Sequence, residues 1–237
     1  VKNVAVMRSV GGDIVMDQCV VKNCNQTVSQ GLLRLACCDA TITDCQFVDN
    51  ICTMGVSFGY DAANDDDVLL IDGCSFERNT CKETAVVYMA DGDYGKVTDT
   101  LFADNNVSSA GNAATLYMGW GDGSEVSGCT FKDNTVVTAH ATTKRFASAI
   151  FCDGCIVKEN AFIGNAATRN GEAVSTSVAV AAYYGDADVS GNYWGETGPE
   201  AGVDFTVEYT RQDVAFDSYY ASIDEEGNLC DLVAFIA

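Results

Sequence analysis

The sequence contains little proline, little histidine and few cationic side chains, and the last two shortages argue against a zinc site and against nucleic-acid binding. Among its 237 residues there are one proline and one histidine, and 13 Lys and Arg stand against 34 Asp and Glu, for a formal net charge of −21. A chain this acidic repels phosphate backbones, which argues against nucleic acid as a partner. Its apolar runs are far shorter than the roughly 20 residues of a membrane-spanning helix, so we expect no direct membrane insertion by this segment.

The twelve cysteines do not form a recognisable metal or redox motif. Cys152-x-x-Cys155 has no second pair of Cys or His residues to complete a zinc tetrahedron, because His140 is the only histidine. It also lacks the amphipathic helix that follows a thioredoxin-like pair. We interpret the cysteines as disulfides or as buried thiols that pack like small apolar side chains.

Internal repetition is the dominant pattern, and it predicts the fold. A Phe-x-x-Asn block recurs five times, at intervals of 29, 26, 29 and 31 residues. Its copies are Phe47–Asn50, Phe76–Asn79, Phe102–Asn105, Phe131–Asn134 and Phe162–Asn165. A degenerate earlier copy is Val20–Asn23 and a later one is centred on Trp194, so seven units fill residues 14 to about 198.

The repeating units have the character of short strands and turns. They contain β-rich runs interrupted by Gly, Asn and Asp, without the apolar spacing of three to four residues that helical repeats need. We therefore predict an all-β, single-stranded parallel β-helix of about seven coils, each with about three short strands and stacked about 4.8 Å apart. The Phe side chains and Trp194 would stack inside, one per coil. The Asn side chains would stack at a turn, where each amide bonds the next coil and the residue tolerates left-handed dihedrals.

The repeat pattern ends at Pro199, which sets the predicted domain boundary. Residues 1–199 are predicted to form the β-helix and residues 200–237 a C-terminal β cap, because an open end exposes unpaired strand edges. Glu225–Asn228 is a hairpin turn signal within that cap. The alternative is that residues 203–237 begin a following domain.

Two motifs resemble those of known surface proteins. Phe-x-x-Asn blocks that alternate with Gly-Gly-Ala-Ile-like segments such as 84–89 resemble the repeats of chlamydial polymorphic outer-membrane proteins. The segment Asn192-Tyr-Trp-Gly-Glu-Thr-Gly-Pro199 resembles the Asn-x-Trp-Gly…Gly-Pro ending of β-helical adhesin-like surface proteins of bacteria and gut archaea. The resemblance covers residues 14–199 and implies a right-handed, pectate-lyase-like β-helix in a large adhesive protein. It also implies an extracellular, cell-surface location for this chain as a fragment of that protein.

One column of carboxylates is a candidate calcium site. Asp67, Asp93, Asp122 and Asp153 each stand nine residues before a Phe of the repeat, so stacking would place them roughly 5 Å apart. Like charges at that spacing repel unless backbone N–H groups or a cation bind them. The pattern predicts either a calcium-binding edge or a series of solvated Asx turns.

Aromatic residues suggest a binding face. Tyr88 and Tyr117 occupy equivalent places in successive units, and strand alternation places both outside the coil, with Trp120 and Tyr60 nearby. Exposed neighbouring aromatic rings suit glycan stacking or a protein hot spot. The alternative is an outward aromatic ladder that merely covers the sheet.

Two pairs of cysteines share columns on neighbouring coils. Cys45 and Cys74 stand two residues before Phe, and Cys52 and Cys81 stand five residues after it. A coil spacing of about 4.8 Å lies within the Cα range of a disulfide. Each pair is predicted to be either an inter-coil disulfide or a stack of free thiols.

These patterns favour a non-catalytic function. The densest carboxylate cluster, 65–67, has no Lys, Arg or His in a matching strand column, and a fold alone supplies no reaction. Our first hypothesis is an adhesin-like segment that presents a binding face to a glycan or surface protein of a host or microbe. The alternatives are a polysaccharide lyase or glycoside hydrolase-like β-helix enzyme and a passive spacer.

Overall fold

The chain folds as a stack of parallel β-coils. The structure is a computed structural model that describes residues 6–27, 31–59, 67–89, 94–119, 123–143, 145–173, 180–182, 186–195, 199, 205–207 and 214–235. Every regular element within those ranges is a β-strand. The strands form four β-sheets that run along the stack of coils. The predicted all-β parallel β-helix is confirmed.

Each coil passes through the sheets in a fixed order, and we name them S1 to S4 in that order. S1 has eight strands: Met7–Val10, Leu33–Ala36, Val56–Phe58, Val87–Met89, Leu116–Met118, Ile150–Cys152, Val180–Ala182 and Phe205–Val207. S2 has eight strands: Ile14–Asp17, Ala40–Thr43, Val68–Asp72, Tyr94–Thr98, Glu125–Ser127, Ile156–Lys158, Ala187–Asp188 and Val214–Ala215.

S3 and S4 complete the coil. S3 has nine strands: Val20–Lys22, Gln46–Val48, Ser75–Glu77, Leu101–Ala103, Thr130–Lys132, Ala161–Ile163, Asn192–Tyr193, Ser218–Ile223 and Leu229–Ala234. S4 has six strands: Ile51–Cys52, Thr80–Cys81, Asn106–Ser109, Thr135–Thr138, Ala166–Arg169 and Glu172–Ala173. The sequence predicted about three strands per coil. S4 adds a fourth because the residues after each Asn also alternate between the interior and solvent, as Thr135–Thr138 does.

A continuous stack of aromatic rings fills the interior behind S3. The centroids of Phe76 and Phe102 lie 5.0 Å apart with an interplanar angle of 6°, and those of Phe102 and Phe131 lie 4.7 Å apart at 3°. The stack continues from Phe131 to Phe162 at 5.6 Å and from Phe162 to Trp194 at 4.9 Å. The structure thus places one ring per coil at the predicted position, and Trp194 takes the place of a Phe.

The repeated Asn residues form a buried ladder of side-chain amides. Asn79 Nδ2 donates to Asn105 Oδ1 at 3.0 Å, and Asn105 Nδ2 donates to Asn134 Oδ1 at 3.0 Å. Asn105 Nδ2 also donates to Phe76 O at 2.7 Å, and Asn105 Oδ1 also accepts the backbone N–H of Asn79 at 3.0 Å. Because every donor and acceptor of the amide is used, the ladder satisfies a polar column inside an apolar core.

The left-handed residue of this turn is not the Asn but the residue before it. The positions with positive φ are Asp49, Arg78, Asp104, Asp133 and Gly164. Our prediction for the Asn dihedrals was therefore wrong. The preceding residue turns the chain, and this leaves each Asn side chain inside, where it reaches the neighbouring coils.

A second left-handed turn precedes each Phe by three residues, and Gly73 in this turn lies against a carboxylate of the preceding coil. Gly73 has φ +60, and a Cβ there would lie 2.6 Å from Asp44 Oδ1 in the preceding coil. Asp44 has φ 50 at the same position of its own coil, so the dihedral admits Asp, whereas a side chain at Gly73 would have to displace the Asp44 carboxylate. The alternation of Asp and Gly in this column therefore reflects packing between coils.

The degenerate first copy begins one residue later than predicted. Val21, not Val20, is the register partner of Phe47, and it is 7% exposed whereas Val20 is 55% exposed. Cys24 therefore takes the Asn position, and its N–H donates to the Asn Oδ1 of the next coil at 2.9 Å. Either of the two adjacent Val residues can fill the Phe position, and Asn23 resembles the repeated Asn. The residue types therefore favoured the register on Val20, which is wrong.

The parallel pairing continues past the predicted boundary at residue 199. Phe205–Val207, Val214–Ala215 and Ser218–Ile223 pair in parallel with the preceding strands of S1, S2 and S3. Leu229–Ala234 then folds back antiparallel on Ser218–Ile223, through a turn in which Asp224 N donates to Asn228 O at 3.0 Å. The predicted hairpin is present, but it follows a further parallel coil.

Candidate functional site

Alternate residues of S1 point outward and form one row of side chains across the coils. The parallel register places in this outer row Arg8, Arg34, Ser57, Tyr88, Tyr117, Phe151 and Ala181. The neighbours of Tyr88 in its strand, Val87 and Met89, point into the core. The structure therefore shows the expected alternation, with both tyrosines outside the coil.

The aromatic part of the outer row is largely covered. Tyr117 stacks between Tyr88 at 5.1 Å and Phe151 at 4.6 Å and is only 3% exposed. Its hydroxyl lies 3.3 Å from Arg145 Nη1 and 3.4 Å from Asn112 Nδ2, and both groups donate to it. Tyr117 belongs to a second apolar cluster outside the coil. The Tyr117 ring therefore has no open face for a sugar. Of the two tyrosines predicted to form a binding face, only the half-buried Tyr88 is left as a candidate.

The other end of the outer row is cationic and more open. Arg8 is exposed and Arg34, its register partner in the next strand, is half-buried. Ser57 lies between Arg34 and Tyr88 in the row and is fully buried. Within the described part of the chain, its Oγ has no hydrogen-bond partner. Sequence reasoning missed these three residues because nothing in their local motifs marks them; only the register between coils brings them together.

The remaining predicted site residues are only partly described. Tyr60, Trp120, Asp93 and Asp122 lie outside the described residues, and so does the carboxylate cluster at 65–66. Asp67 is half-buried and Asp153 is 2% exposed. These two stand three coils apart, or roughly 14 Å by the strand spacing. Among the described residues, no group of three His, Cys, Asp or Glu side chains is arranged to hold a metal ion. The calcium edge stays a prediction.

Thiol, hydroxyl and amide side chains all occur in the column two residues before Phe, and all accept a hydrogen bond from a backbone N–H. Cys45 N donates to Cys74 Sγ at 3.4 Å, and Cys74 N donates to Thr100 Oγ1 at 3.4 Å. Further along, Cys129 N donates to Asn160 Oδ1 at 2.9 Å. Each side chain thus accepts an N–H from the preceding coil, and the thiol of Cys74 also donates to a carbonyl there at 3.4 Å. The cysteines of this column act as weak substitutes for Asn.

The predicted cysteine pairs are free thiols. Cys52 Sγ and Cys81 Sγ lie 3.6 Å apart in the core without a covalent bond, and the paired thiols of the neighbouring column are also free. A disulfide instead joins Cys152 and Cys155, both buried at the turn after the S1 strand Ile150–Cys152. The sequence left two alternatives for each pair, an inter-coil disulfide or a stack of free thiols, and the structure shows the stack of free thiols.

The buried thiols predict a loss of stability at alkaline pH. Burial raises the pKa of Cys74 to about 11 and that of Cys129 to about 12, against a usual value of 9.0. The neutral thiol is favoured in the fold, so the stability from Cys129 is fully present below about pH 9 and is lost between about pH 9 and 12. The free energy of unfolding should fall from pH 8 to pH 10 in both proteins. We expect this fall to be about 1 kcal/mol smaller in Cys129→Thr than in wild type.

Urea unfolding at both pH values, followed by circular dichroism, measures this difference. Thr is chosen because Thr100 already occupies the same column one coil away. Cys230→Thr, on the half-exposed terminal hairpin, is the control and should follow the wild-type pH dependence. If wild type and Cys129→Thr lose the same stability between the two pH values, the buried thiol is not the cause.

Lysine and carboxylate side chains meet on S2 as half-exposed ion pairs. Lys96 Nζ lies 3.2 Å from Glu125 Oε2, and Lys158 Nζ lies 2.6 Å from Asp188 Oδ2. The Ser127 hydroxyl, and then Lys96, hold the pKa of Glu125 below its usual value. A general acid at neutral pH needs a raised carboxyl pKa, so this pair has the protonation state of a surface ion pair.

A groove beside the C-terminal hairpin was not predicted from the sequence. It has a volume of about 360 Å³ and lies between the hairpin and the outer face of S3. Among its lining residues are Thr130, Glu159, Ala161, Tyr220 and Leu229. Among the lining residues that the structure describes, Glu159 is the one charged side chain. The described part of the lining therefore holds a carboxylate but no Lys, Arg or His side chain.

Comparison with family models, with curated proteins and with solved structures finds no match to this chain. In the described ranges, no helix is long and apolar enough to cross a membrane.

Proposed function

We propose that this chain is a non-catalytic β-helix segment of a cell-surface adhesin-like protein, and that the outer row of S1 binds a glycan. The observation that carries the proposal is the composition of that row. It changes from stacked aromatic rings to arginines along successive coils, with Tyr88 at the transition. A passive spacer needs only a uniformly polar face, whereas aromatic and arginine side chains are the types enriched at binding hot spots.

The scaffold behind this row supports a binding role. The Phe stack and the Asn ladder fix the coils in register, so the outer row stands on a rigid sheet. Sites built on strands hold their side chains more precisely than sites on loops. The proposed surface location draws on the resemblance of residues 192–199 to the ending of adhesin-like proteins.

A glycan array tests the proposal with three proteins: wild type, Tyr88→Ala and Tyr94→Ala. Tyr94 is 39% exposed on S2 and is a control of the same residue type on a different face. We expect wild type and Tyr94→Ala to bind a defined set of glycans. Tyr88→Ala should bind at least about tenfold more weakly, because the loss of one aromatic contact of about 1.4 kcal/mol is a tenfold change.

The array is run with calcium and with chelator, and the outcomes separate the hypotheses. Loss of glycan binding in the presence of chelator would support a metal-binding role for the column of Asp67, Asp93, Asp122 and Asp153. Unchanged binding would favour the alternative, in which these residues cap turns. Binding by Tyr88→Ala at the wild-type level would place the ligand on another face. No glycan bound in either condition would remove the glycan-binding function.

A further inference from the structure

We infer that Asn25 and Asn106 are modification sites that carry N-linked glycans, together on the outer face of S4. This modification lies outside the glycan-binding role of S1. It rests on the proposed surface location, because N-linked glycans are attached to exported chains. Strand alternation decides which asparagines of the repeat face solvent, and it places these two outside the coil.

Two short motifs in the sequence have the acceptor pattern of N-linked glycosylation. They are Asn25-Gln-Thr27 and Asn106-Val-Ser108, and neither has Pro at the middle position. Every other Asn of the sequence lacks Ser or Thr two residues later. The motif by itself marks only a candidate, and the structural condition is that it lies on the surface of the folded chain.

Both motifs meet that condition. Asn106 and Ser108 are exposed, and Val107 between them points into the core. Asn25 and Thr27 are likewise exposed, and the residue between them is buried. Residues two apart in a strand share a face, so the amide and the hydroxyl of each motif face solvent together. A glycan attached to either Asn therefore stays outside the coil when the chain folds.

The two acceptors stand in one row, which we call the outer row of S4. The parallel register aligns in this row Asn25, Ile51, Thr80, Asn106, Thr135 and Ala166. Asn25 and Asn106 are three strands apart, or roughly 14 Å by the strand spacing. Ile51 is 39% exposed and is the register partner of Asn25, so a first sugar on Asn25 would cover an exposed apolar side chain.

The asparagines of the buried ladder are excluded as acceptors by the same alternation. Asn105 Nδ2 already donates to Phe76 O and Asn134 Oδ1, and the side chain is 1% exposed. The position two residues after a ladder Asn also points into the core. It holds Cys52, Cys81, Val107, Val136 and Ala167, and not a Ser or Thr. An acceptor motif on S4 can therefore begin only at an outward Asn, as it does at Asn106.

The side-chain amides of both candidates are available for the reaction. Among the described residues, no hydrogen bond engages the side chain of Asn25 or Asn106. The donor is an oligosaccharide linked through C1 to a polyprenyl phosphate or diphosphate. The amide nitrogen forms a bond to C1 as the C1–O bond to phosphate breaks. The lipid phosphate leaves with the electron pair, and a base of the transferase takes the amide proton.

Glycopeptide mapping and intact mass of the protein purified from the cells that produce it test this assignment. We expect wild type to carry two glycans, Asn25→Gln and Asn106→Gln one each, and the double variant none. Ser108→Ala should remove the glycan at Asn106, and Ser108→Thr should keep it. The control is Asn23→Gln, an exposed Asn without Ser or Thr two residues later, which should leave both glycans in place.

Labelling intact cells with a membrane-impermeant amine reagent separates this assignment from the surface location. The exposed lysines that report labelling are Lys22, Lys82 and Lys132. Labelled protein with both acceptors unmodified would overturn the assignment and leave the surface location standing. Protein that is neither labelled nor modified would overturn both. A glycan on one acceptor alone would overturn the assignment of the other, and glycan retained by the double variant would overturn attachment to these Asn side chains.

Discussion

Asn105→Leu is expected to lower the free energy of unfolding by about 4 kcal/mol. Leu has a similar size but leaves Phe76 O and both the backbone and side-chain N–H donors of Asn79 without the partner that Asn105 provides. Each such buried group costs about 1–3 kcal/mol when it loses its partner. The loss is large because one side-chain amide serves four neighbouring groups in two coils, the fourth being Asn134 Oδ1.

Urea unfolding of Asn105→Leu, with Asn106→Leu as the matched control, measures this effect. Asn106 is the next residue, has the same side chain and is exposed at the start of the S4 strand Asn106–Ser109. We expect the control to change stability by no more than about 0.5 kcal/mol, as exposed substitutions usually do. A loss below about 1 kcal/mol for Asn105→Leu would show that the ladder contributes little to the fold.

Phe102→Ala is expected to cost about 4 kcal/mol of unfolding free energy. Phe102 is fully buried at the centre of the stack, with Phe76 and Phe131 rings at 5.0 Å and 4.7 Å on its two sides. The substitution leaves a cavity and also removes two stacked ring pairs, each worth about 0.5–1.5 kcal/mol beyond area burial. The neighbouring coils hold the rings in place, so the cavity has little freedom to collapse.

Thermal and urea unfolding compare Phe102→Ala with Phe102→Leu and Phe235→Ala. Phe102→Leu keeps most of the volume and should cost about 1–2 kcal/mol. Phe235 is 53% exposed on the terminal hairpin, so its truncation should cost less than about 1 kcal/mol. Equal losses for Phe102→Ala and Phe235→Ala would contradict a core organised around the ring stack.

The sequence was informative where one side chain per coil has a single structural task. The Phe and Asn columns recur at nearly constant spacing because each ring and each amide must meet its equivalent in the next coil. That requirement is visible without the structure, and it was enough to predict parallel coils. The substitution of Trp194 for Phe was also readable, because its place in the unit was kept.

Prediction was less successful where several residue types serve the same position. The first coil could be aligned on Val20 or Val21, because either Val can fill the Phe position and Asn23 resembles the ladder residues. Cys74 likewise occupies a column that also holds Thr100 and Asn amides. A thiol in such a column accepts an N–H without any covalent bond, so spacing alone did not distinguish free thiols from disulfides.

The candidate site depended on contacts that a linear pattern does not contain. Strand alternation correctly placed Tyr117 outside the coil, but its burial comes from the second apolar cluster and from Asn112 and Arg145 in the segments between coils. The course of those segments is not encoded by the repeat. The pairing of Arg8 with Arg34 is similarly a property of register, since neither residue belongs to a recognisable motif.

Hydroxyl-radical footprinting tests most directly whether the outer row of S1 is the binding face. The oxidation rates of Tyr88 and Tyr94 are measured by mass spectrometry with and without a saturating concentration of a glycan that the array identifies. We predict that Tyr88 becomes protected by at least about threefold, while Tyr94 on S2 stays unchanged. Protection at Tyr94, or an unchanged rate at Tyr88 with the glycan bound, would contradict the account.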